Sequence, residues 1–316
     1  MPALKAIRID HPTPRILRVE LVAADGAALA PFTAGAHIDL ELPNGEARSY
    51  SLLNDQGETH RYVIAVLREA QSKGASSWIH ESLREGDALR SFAPSNNFPL
   101  SEAGEHSILI AGGIGVTPIM AMAARLAALG KAYALYYCAR SRDEAAFADE
   151  LEQRHGDKLK LVFDGGDPSA GLDVAALVAK RAAGGHLYVC GPSGLIRAVR
   201  EAARDWPKGA VHYELFKGSE DDVAIRKNNA PFDVVLKRNG RTISIPADKT
   251  ILDVLKAEGV KIKTLCRDGV CGTCTVGLVS GMAEHRDDYL SDDERETLIQ
   301  VCVSRAMPGE TLVLDL

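Results

Sequence analysis

The sequence contains no uncharged apolar run near the ~18 residues that a membrane-crossing helix requires. Its longest apolar stretch, Ile119 to Leu129, is broken by Arg125. The opening MPALKAIRID lacks the charged-then-apolar layout of a secretory leader, so a cytoplasmic protein is expected. Positive charge is also short: 37 Lys and Arg stand against 43 Asp and Glu, a formal net charge of -6. Such a chain offers no basic field to a polyanion, and neither nucleic acid nor a membrane is expected as a partner. Six cysteines in 316 residues are too few for a disulfide scaffold, so their spacing carries the information. Neither an internal repeat nor a low-complexity segment is present. What remains is an ordinary globular composition, 46% hydrophobic and 25% charged, in a chain long enough for two or three domains.

The segments RILRVELVA, HIDLELP and RYVIAVLRE alternate apolar with polar residues or are β-branched, and glycine, asparagine and aspartate separate them. An antiparallel barrel over residues 1–102 is the expectation. From Ser107 the pattern changes to an apolar strand, a glycine turn and an apolar helix ending at Gly130, followed by the strand AYALYYCAR. KLKLVFD, a helix DVAALVAKRAA, HLYVCGP and a helix SGLIRAVREAARDW continue the alternation, which predicts a parallel α/β sheet over 103–217. Residues 218–230 are polar, without apolar period, and read as a linker. In the remaining domain, 231–316, FDVVLKRNGRTISIP reads as a hairpin with an Asn-Gly turn, and TILDVLKAEG as a helix with a threonine cap and a terminal glycine.

Cys266, Cys271 and Cys274 follow the spacing C-x4-C-x2-C, and Cys302 follows after 27 intervening residues inside an apolar segment, VCVSRA, read as a strand. This is the plant-type pattern for a [2Fe–2S] cluster: a compact loop delivers three thiolates and a distant segment the fourth. Gly269, Gly272 and Thr273 are small enough to let backbone N–H groups approach the sulfides. The alternatives are a zinc site, disfavoured because only one C-x2-C knuckle exists, or spare buried thiols. Cys138 and Cys190 lie in the sheet domain, outside this spacing.

A one-electron centre needs a donor, and two further groups of residues supply candidates. Arg48-Ser49-Tyr50-Ser51-Leu52 closes a barrel strand, and this R-x-Y-S resembles the flavin-binding motif of the ferredoxin–NADP reductase superfamily. The resemblance implies that Arg48 faces the flavin phosphate while Tyr50 and Ser51 lie along the ring. Lys73-Gly74-Ala75-Ser76-Ser77 follows where that superfamily begins its phosphate-binding helix, and a helix N-terminus beside a cation is a physical anion site. Gly112-Gly113-Ile114-Gly115-Val116-Thr117-Pro118 lies between strand and helix, as a pyrophosphate turn requires. Cys190-Gly191-Pro192 ends a later strand, and both turns sit at carboxyl ends of parallel strands, where open α/β sheets bind ligands.

These three signatures in this order resemble the phthalate dioxygenase reductase family over essentially the whole chain, including His212-Tyr213-Glu214-Leu215-Phe216 and the terminal Leu312-Val313-Leu314-Asp315-Leu316. The resemblance implies a flavin barrel, a nicotinamide domain and a β-grasp ferredoxin domain. It implies a hydride from NADH to FMN, with Ser51, Thr117 and Cys190 at the reacting rings. Single electrons would pass through the cluster to a Rieske-type oxygenase in a dioxygenase or O-demethylase system of aromatic catabolism. By the same resemblance Ile64, Ala65 and Val66 join the flavin site, Cys190 faces the nicotinamide, and Glu214 and Phe216 shape the opposite side.

The short turn after Lys73 favours FMN over FAD. NADH is favoured over NADPH because Asp143 adjoins Arg140 and Arg142, the cations that could otherwise grip a 2′-phosphate. The segment EHRDDYLSDDERE sets seven acids against two arginines near the fourth cysteine. It reads either as a solvated face or as an acidic surface for docking an oxygenase, with His285 on the surface. No haem-thiolate motif and no Rieske Cys-x-His pair is present, so oxygen chemistry requires a partner. The rival readings are an NADPH- or FAD-using reductase for another acceptor and a non-catalytic flavin and iron–sulfur redox sensor.

Overall fold

The computed structural model describes residues 3–43, 47–69, 74–180, 182–216 and 229–316. Six antiparallel strands come first: β1 (Ala3–Thr13), β2 (Ile16–Ala23), β3 (His37–Glu41), β4 (Ala47–Ser51), β5 (Tyr62–Leu67) and β6 (Ala88–Ser91), in the order β4-β3-β6-β1-β2-β5. A hydrogen bond from Leu53 N to Val63 O, 3.0 Å, ties the two ends together, so the sheet curls into a barrel. Its interior is filled by one face of each strand, including Leu4, Ile38, Leu40 and Leu89. Helix α1 (Ala75–Ser82) adds Ala75 and Ile79 to that core.

Five parallel strands follow: β7 (His106–Gly112), β8 (Ala132–Ala139), β9 (Leu159–Phe163), β10 (His186–Cys190) and β11 (Val211–Glu214), in the order β11-β10-β7-β8-β9. β7 is buried on both faces, which is why SILIAG reads as a continuous apolar run. Helix α2 (Val116–Ala128) covers β7, β8 and β10 and ends at Gly130, whose φ of +65° and bond to Ala127 O close the last turn. The helix expected over DVAALVAKRAA ends at Val178. Only Leu177 and Val178 of that helix are buried, and Ala179 and Lys180 are exposed, so no apolar face continues it.

Barrel and sheet share one core. Val63 and Ala65 project from β5 into a cluster with Leu109, Val116, Tyr137 and Cys190, whereas Tyr62, Ile64 and Val66 point into the barrel. The alternation of a single strand thus fastens one layer to the next, and residues 1–214 form one compact unit.

The second unit, residues 215–316, has the sheet order β13-β12-β18-β14-β16, built from β12 (Phe232–Leu236), β13 (Arg241–Ile245), β14 (Thr275–Ser280), β16 (Leu298–Gln300) and β18 (Thr311–Leu314). A short pair, β15 (Ala283–Glu284) and β17 (Arg305–Ala306), lies apart from it. Thr250 caps the helix Ile251–Ala257 by accepting from Asp253 N at 3.1 Å. The β12–β13 turn spans 237–240, with Gly240 at φ +68°. One expectation needs correction: Cys302 is not in a strand. β16 ends at Gln300, and bonds from Val303 N and Ser304 N to Gln300 O fold 301–303 into a turn. That turn is buried among the core side chains, so its sequence is apolar without being extended. The linker expected over 218–230 falls, except for Asn229 and Ala230, outside the described residues. Among the described residues no helix is long and apolar enough to cross a membrane.

Both tryptophans, Trp78 and Trp206, belong to the first unit, so their fluorescence reports its unfolding. Leu109→Ala, at a fully buried position of the shared core, is expected to lower its unfolding free energy by about 2–5 kcal/mol in urea titrations.

Candidate functional site

The parallel sheet reverses strand order between β7 and β10, and crevices at such reversals are where open α/β sheets take ligands. The 112–115 turn leaves β7 there and the 190–192 turn leaves β10. A Cβ on Gly115 would lie 2.3 Å from Cys190 O, and one on Gly112 would lie 2.6 Å from Pro192 Cδ. The glycines are therefore required by the packing of the two turns on each other, before any ligand is considered. The Thr117 hydroxyl donates to Ile114 O at 3.0 Å, which fixes the first turn of α2, and Pro118 is buried beside it. Gly113, at φ +53°, has open space where a Cβ would stand.

Cys190 on β10 pairs directly with Glu214 on β11. Glu214 is half-buried as a residue, yet its Oε2 is sealed from solvent and has no partner among the described residues. Burial pushes its carboxyl up to about 8. The Cys190 thiol is pushed up as well, first by burial and then by the neighbouring carboxyl, so it is a neutral, inert thiol. Phe216, two residues past Glu214, is exposed at 37%.

On the barrel, β4 presents alternate residues to opposite faces. Arg48 and Tyr50 lie opposite Leu40 and Ile38, and Tyr50 packs against the barrel core. Ser49 and Ser51 point the other way, with the Ser49 hydroxyl on Asp39 at 2.8 Å and Ser51 buried opposite His37. Arg48 Nη1 donates to Ala47 O at 2.8 Å. β5 lies against the 113–115 turn. Because the side chains of Ile64 and Val66 fill the barrel, these two residues can offer a ligand only main chain. Gly74 starts α1 with φ +115°, which favours glycine, and His80 Nε2 meets Val66 O at 2.9 Å, locking α1 to β5. Ala75 is buried and Ser76 is half-buried at that helix start. Lys73 lies outside the described residues.

In the second unit, no three His, Cys, Asp or Glu among the described residues converge on a single metal position. The thiols' partners lie elsewhere: Asp268 N donates to Cys266 Sγ at 3.4 Å, Cys271 Sγ lies 3.3 Å from Thr273 Oγ1, and Cys274 Sγ lies 3.7 Å from Gln300 Oε1. The neighbouring thiols and burial push Cys266 and Cys302 up, while the same neighbours hold Cys271 and Cys274 down. Four thiols that do not converge on one point suit a two-iron centre better than a single zinc, which needs four donors around one point. The loop is tightly specified. Gly269 and Gly272 have φ of +76° and +72°, and Cβ atoms there would lie 2.7 Å from Val303 and 2.4 Å from the Tyr289 ring. Arg267, at φ +62°, is held by an ion pair with Asp253.

Both cofactor families are matched by known sequence models: an oxidoreductase NAD-binding domain over residues 109–201 and a 2Fe-2S iron-sulfur cluster binding domain over 234–307. Phthalate dioxygenase reductase of Burkholderia cepacia is 43% identical over 299 residues, covering 94% of this chain and 92% of that protein. The chain belongs to the phthalate dioxygenase reductase family. A solved phthalate dioxygenase reductase, described as a modular structure for electron transfer from pyridine nucleotides to [2Fe-2S], matches with TM-score 0.79 and 41% identity, covering 99% of this chain and 97% of that one. The heme-dependent oxidative N-demethylase beta subunit of Ectopseudomonas mendocina is 39% identical over 313 residues, covering 98% and 97%.

For a reductase of this family the acidic segment holds a surprise. Asp287 is not solvated: its side chain is buried, accepting from Leu290 N at 2.9 Å and from Ser304 Oγ at 3.4 Å, while Asp288 N donates to Gly269 O at 3.1 Å. Asp287 thus fixes the 287–290 turn and the Ser304 hydroxyl, a role its charged neighbourhood conceals, and the next residue's main chain ties that turn to the cysteine loop. His285 is only partly exposed and lies 3.6 Å from Asp287 Oδ1. Asp292, Asp293, Glu294 and Glu296 remain on the surface.

Two outcomes follow. Gly115→Ala, forced against the Cys190 carbonyl, is expected to destabilise the first unit by about 1–3 kcal/mol, read by urea unfolding, and to weaken NADH binding. The second concerns Glu214, whose folded-state carboxyl keeps a proton that the unfolded chain releases above about 4.5. Stability therefore falls as pH rises from about 4.5 through 8. Glu214→Gln should be less sensitive in thermal melts between those limits.

Proposed function

We propose that this chain is the NADH-oxidising reductase component of a two-component oxygenase system, with FMN as its flavin and a Rieske-type oxygenase as its electron acceptor. The observation that carries the reading is the presence in one chain of a glycine-built switch point and a separate unit whose glycine-shaped loop and buried turn present four free cysteines. When bound, the flavin accepts a hydride from the nicotinamide and releases electrons one at a time to the [2Fe–2S] cluster.

The chain's own residues have the remaining tasks. Arg48, Lys73, Gly74, Ala75 and Ser76 would hold the flavin phosphate, with the positive end of α1 adding to the side-chain charges. Tyr50, Ser51 and the main chain of Ile64, Ala65 and Val66 would line the ring. Gly112, Gly113, Gly115, Thr117 and Pro118, with Cys190, Gly191 and Pro192, would seat the dinucleotide. Cys190 and the protonated Glu214 would exclude water from the reacting rings, and Phe216 would cover them. Cys266, Cys271, Cys274 and Cys302 would hold the cluster. The division into 1–102, 103–217, a 218–230 linker and 231–316, and a cytoplasmic location in which thiols stay reduced, belong to the same proposal.

NADH fits because Arg142 is already neutralised: it ion-pairs with Asp149, and Nη1 and Nη2 hold Glu152 at 3.0 and 2.5 Å. An arginine so occupied is a poor receiver for a 2′-phosphate. Asp149→Asn with Glu152→Gln releases it, and the double variant is expected to raise kcat/KM for NADPH about tenfold or more relative to NADH in steady-state assays, the gain of one charge-assisted contact.

A haem oxygenase as the acceptor is the second reading, favoured by the heme-dependent N-demethylase relative. Either acceptor would meet the exposed acids around Asp292. Transfer to the partner should slow several-fold from low to high ionic strength; a flat profile would remove the electrostatic docking.

The reading itself is tested with Cys302→Ser. NADH should still bleach the flavin, while reduction of cytochrome c, a one-electron acceptor, should fall at least tenfold. Unchanged cytochrome c reduction would mean that the cluster is not on the path.

A further inference from the structure

Among the side chains around the four thiols, Gln300 alone combines complete burial, proximity to a ligand and an unused donor. It is 0% exposed, its Oε1 lies 3.7 Å from Cys274 Sγ, and its Nε2 has no hydrogen-bond partner among the described residues. Thr275, directly opposite in the β14–β16 register, also has a buried hydroxyl without a partner. Two orphaned donors beside one cysteine in a closed core are a costly arrangement.

Ligation resolves it. As an iron ligand Cys274 carries no proton and can only accept, so an amide oxygen facing it would set acceptor against acceptor. A half-turn of the terminal amide exchanges oxygen and nitrogen with almost no change of shape. Nε2 then faces the sulfur, and the oxygen turns away from it with the Thr275 hydroxyl as an available donor. We propose that Gln300 is a positioning residue that donates an N–H to the Cys274 thiolate and thereby raises the reduction potential of the cluster. The inference rests on the cluster being held by the four cysteines. Its physical basis is that one-electron reduction adds negative charge to the cluster and its sulfurs, and a buried donor aimed at a sulfur stabilises that charge.

The test uses the full-length, cluster-loaded protein in a dye-equilibrated titration followed by the EPR signal of the reduced cluster. Gln300→Met keeps the volume and removes the donor; Gln300→Glu replaces the donor with oxygen. Both are expected to shift the equilibrium against a reference dye about tenfold toward the oxidised cluster, about 59 mV for a one-electron couple. A second readout needs no variant. Gln300 is the only glutamine between 231 and 316, so glutamine labelled with 15N at the side-chain amide should give a nitrogen coupling to the reduced cluster in pulsed EPR. Potentials equal to wild type together with no 15N coupling would overturn the role of Gln300 while leaving the cluster intact. A wild-type chain without the reduced-cluster signal would overturn the cluster reading itself.

Discussion

The packing of the 112–115 turn against the 190–192 turn is the contact on which the nicotinamide half of the molecule depends. It can form only where two strand ends approach without side chains between them, as the 2.3 Å and 2.6 Å Cβ encounters at Gly115 and Gly112 make plain. That approach brings β7 and β10 to the point where the sheet reverses direction, and it carries Cys190 and, across the next pairing, Glu214 to the same edge. The barrel joins through Val63 and Ala65, which enter the same apolar cluster. The crevice at the switch point is thus built on packing that is complete before any ligand enters.

The second unit follows the same logic with different means. Its cysteine loop cannot bury a core of its own, so its shape is set by positive-φ glycines, by Tyr289 over Gly272 and by the bond from Asp288 N to Gly269 O. The four thiols are presented by that loop and by one buried turn, a donor set that suits a dinuclear centre. Charge in the acidic segment is accordingly divided: Asp287 is structural and interior, whereas Asp292, Asp293, Glu294 and Glu296 stay in water. Surface acids affect encounter with a partner, whereas groups touching the sulfurs affect the potential.

Much of this was legible in the sequence. The glycine turn between an apolar strand and an apolar helix and the Cys-Gly-Pro strand end follow from local chemistry, and both stand at carboxyl ends of parallel strands as the pattern predicts. The order of barrel, parallel sheet and ferredoxin-like unit followed from the change of hydrophobic period at Ser107 and again near Pro231. Three features were not legible. VCVSRA has the composition of a strand because its turn is buried, and period cannot distinguish the two. Asp287 is one acid among seven in its segment, and only the fold reveals which one faces inward. Glu214 and Gln300 are ordinary polar residues at strand ends, and their unpartnered atoms arise from long-range pairings that local patterns do not encode.

Two electrons enter this chain from a nicotinamide as a hydride and leave one at a time through the four-cysteine unit, the proton passing to solvent. The most direct test of this path is an anaerobic titration of the purified protein with NADH, followed by visible absorption. Flavin and iron–sulfur bands that bleach together, with about three electrons taken up per chain, are the predicted result. A flavin that bleaches while the cluster remains oxidised, or cofactors that do not respond to NADH at all, would contradict it.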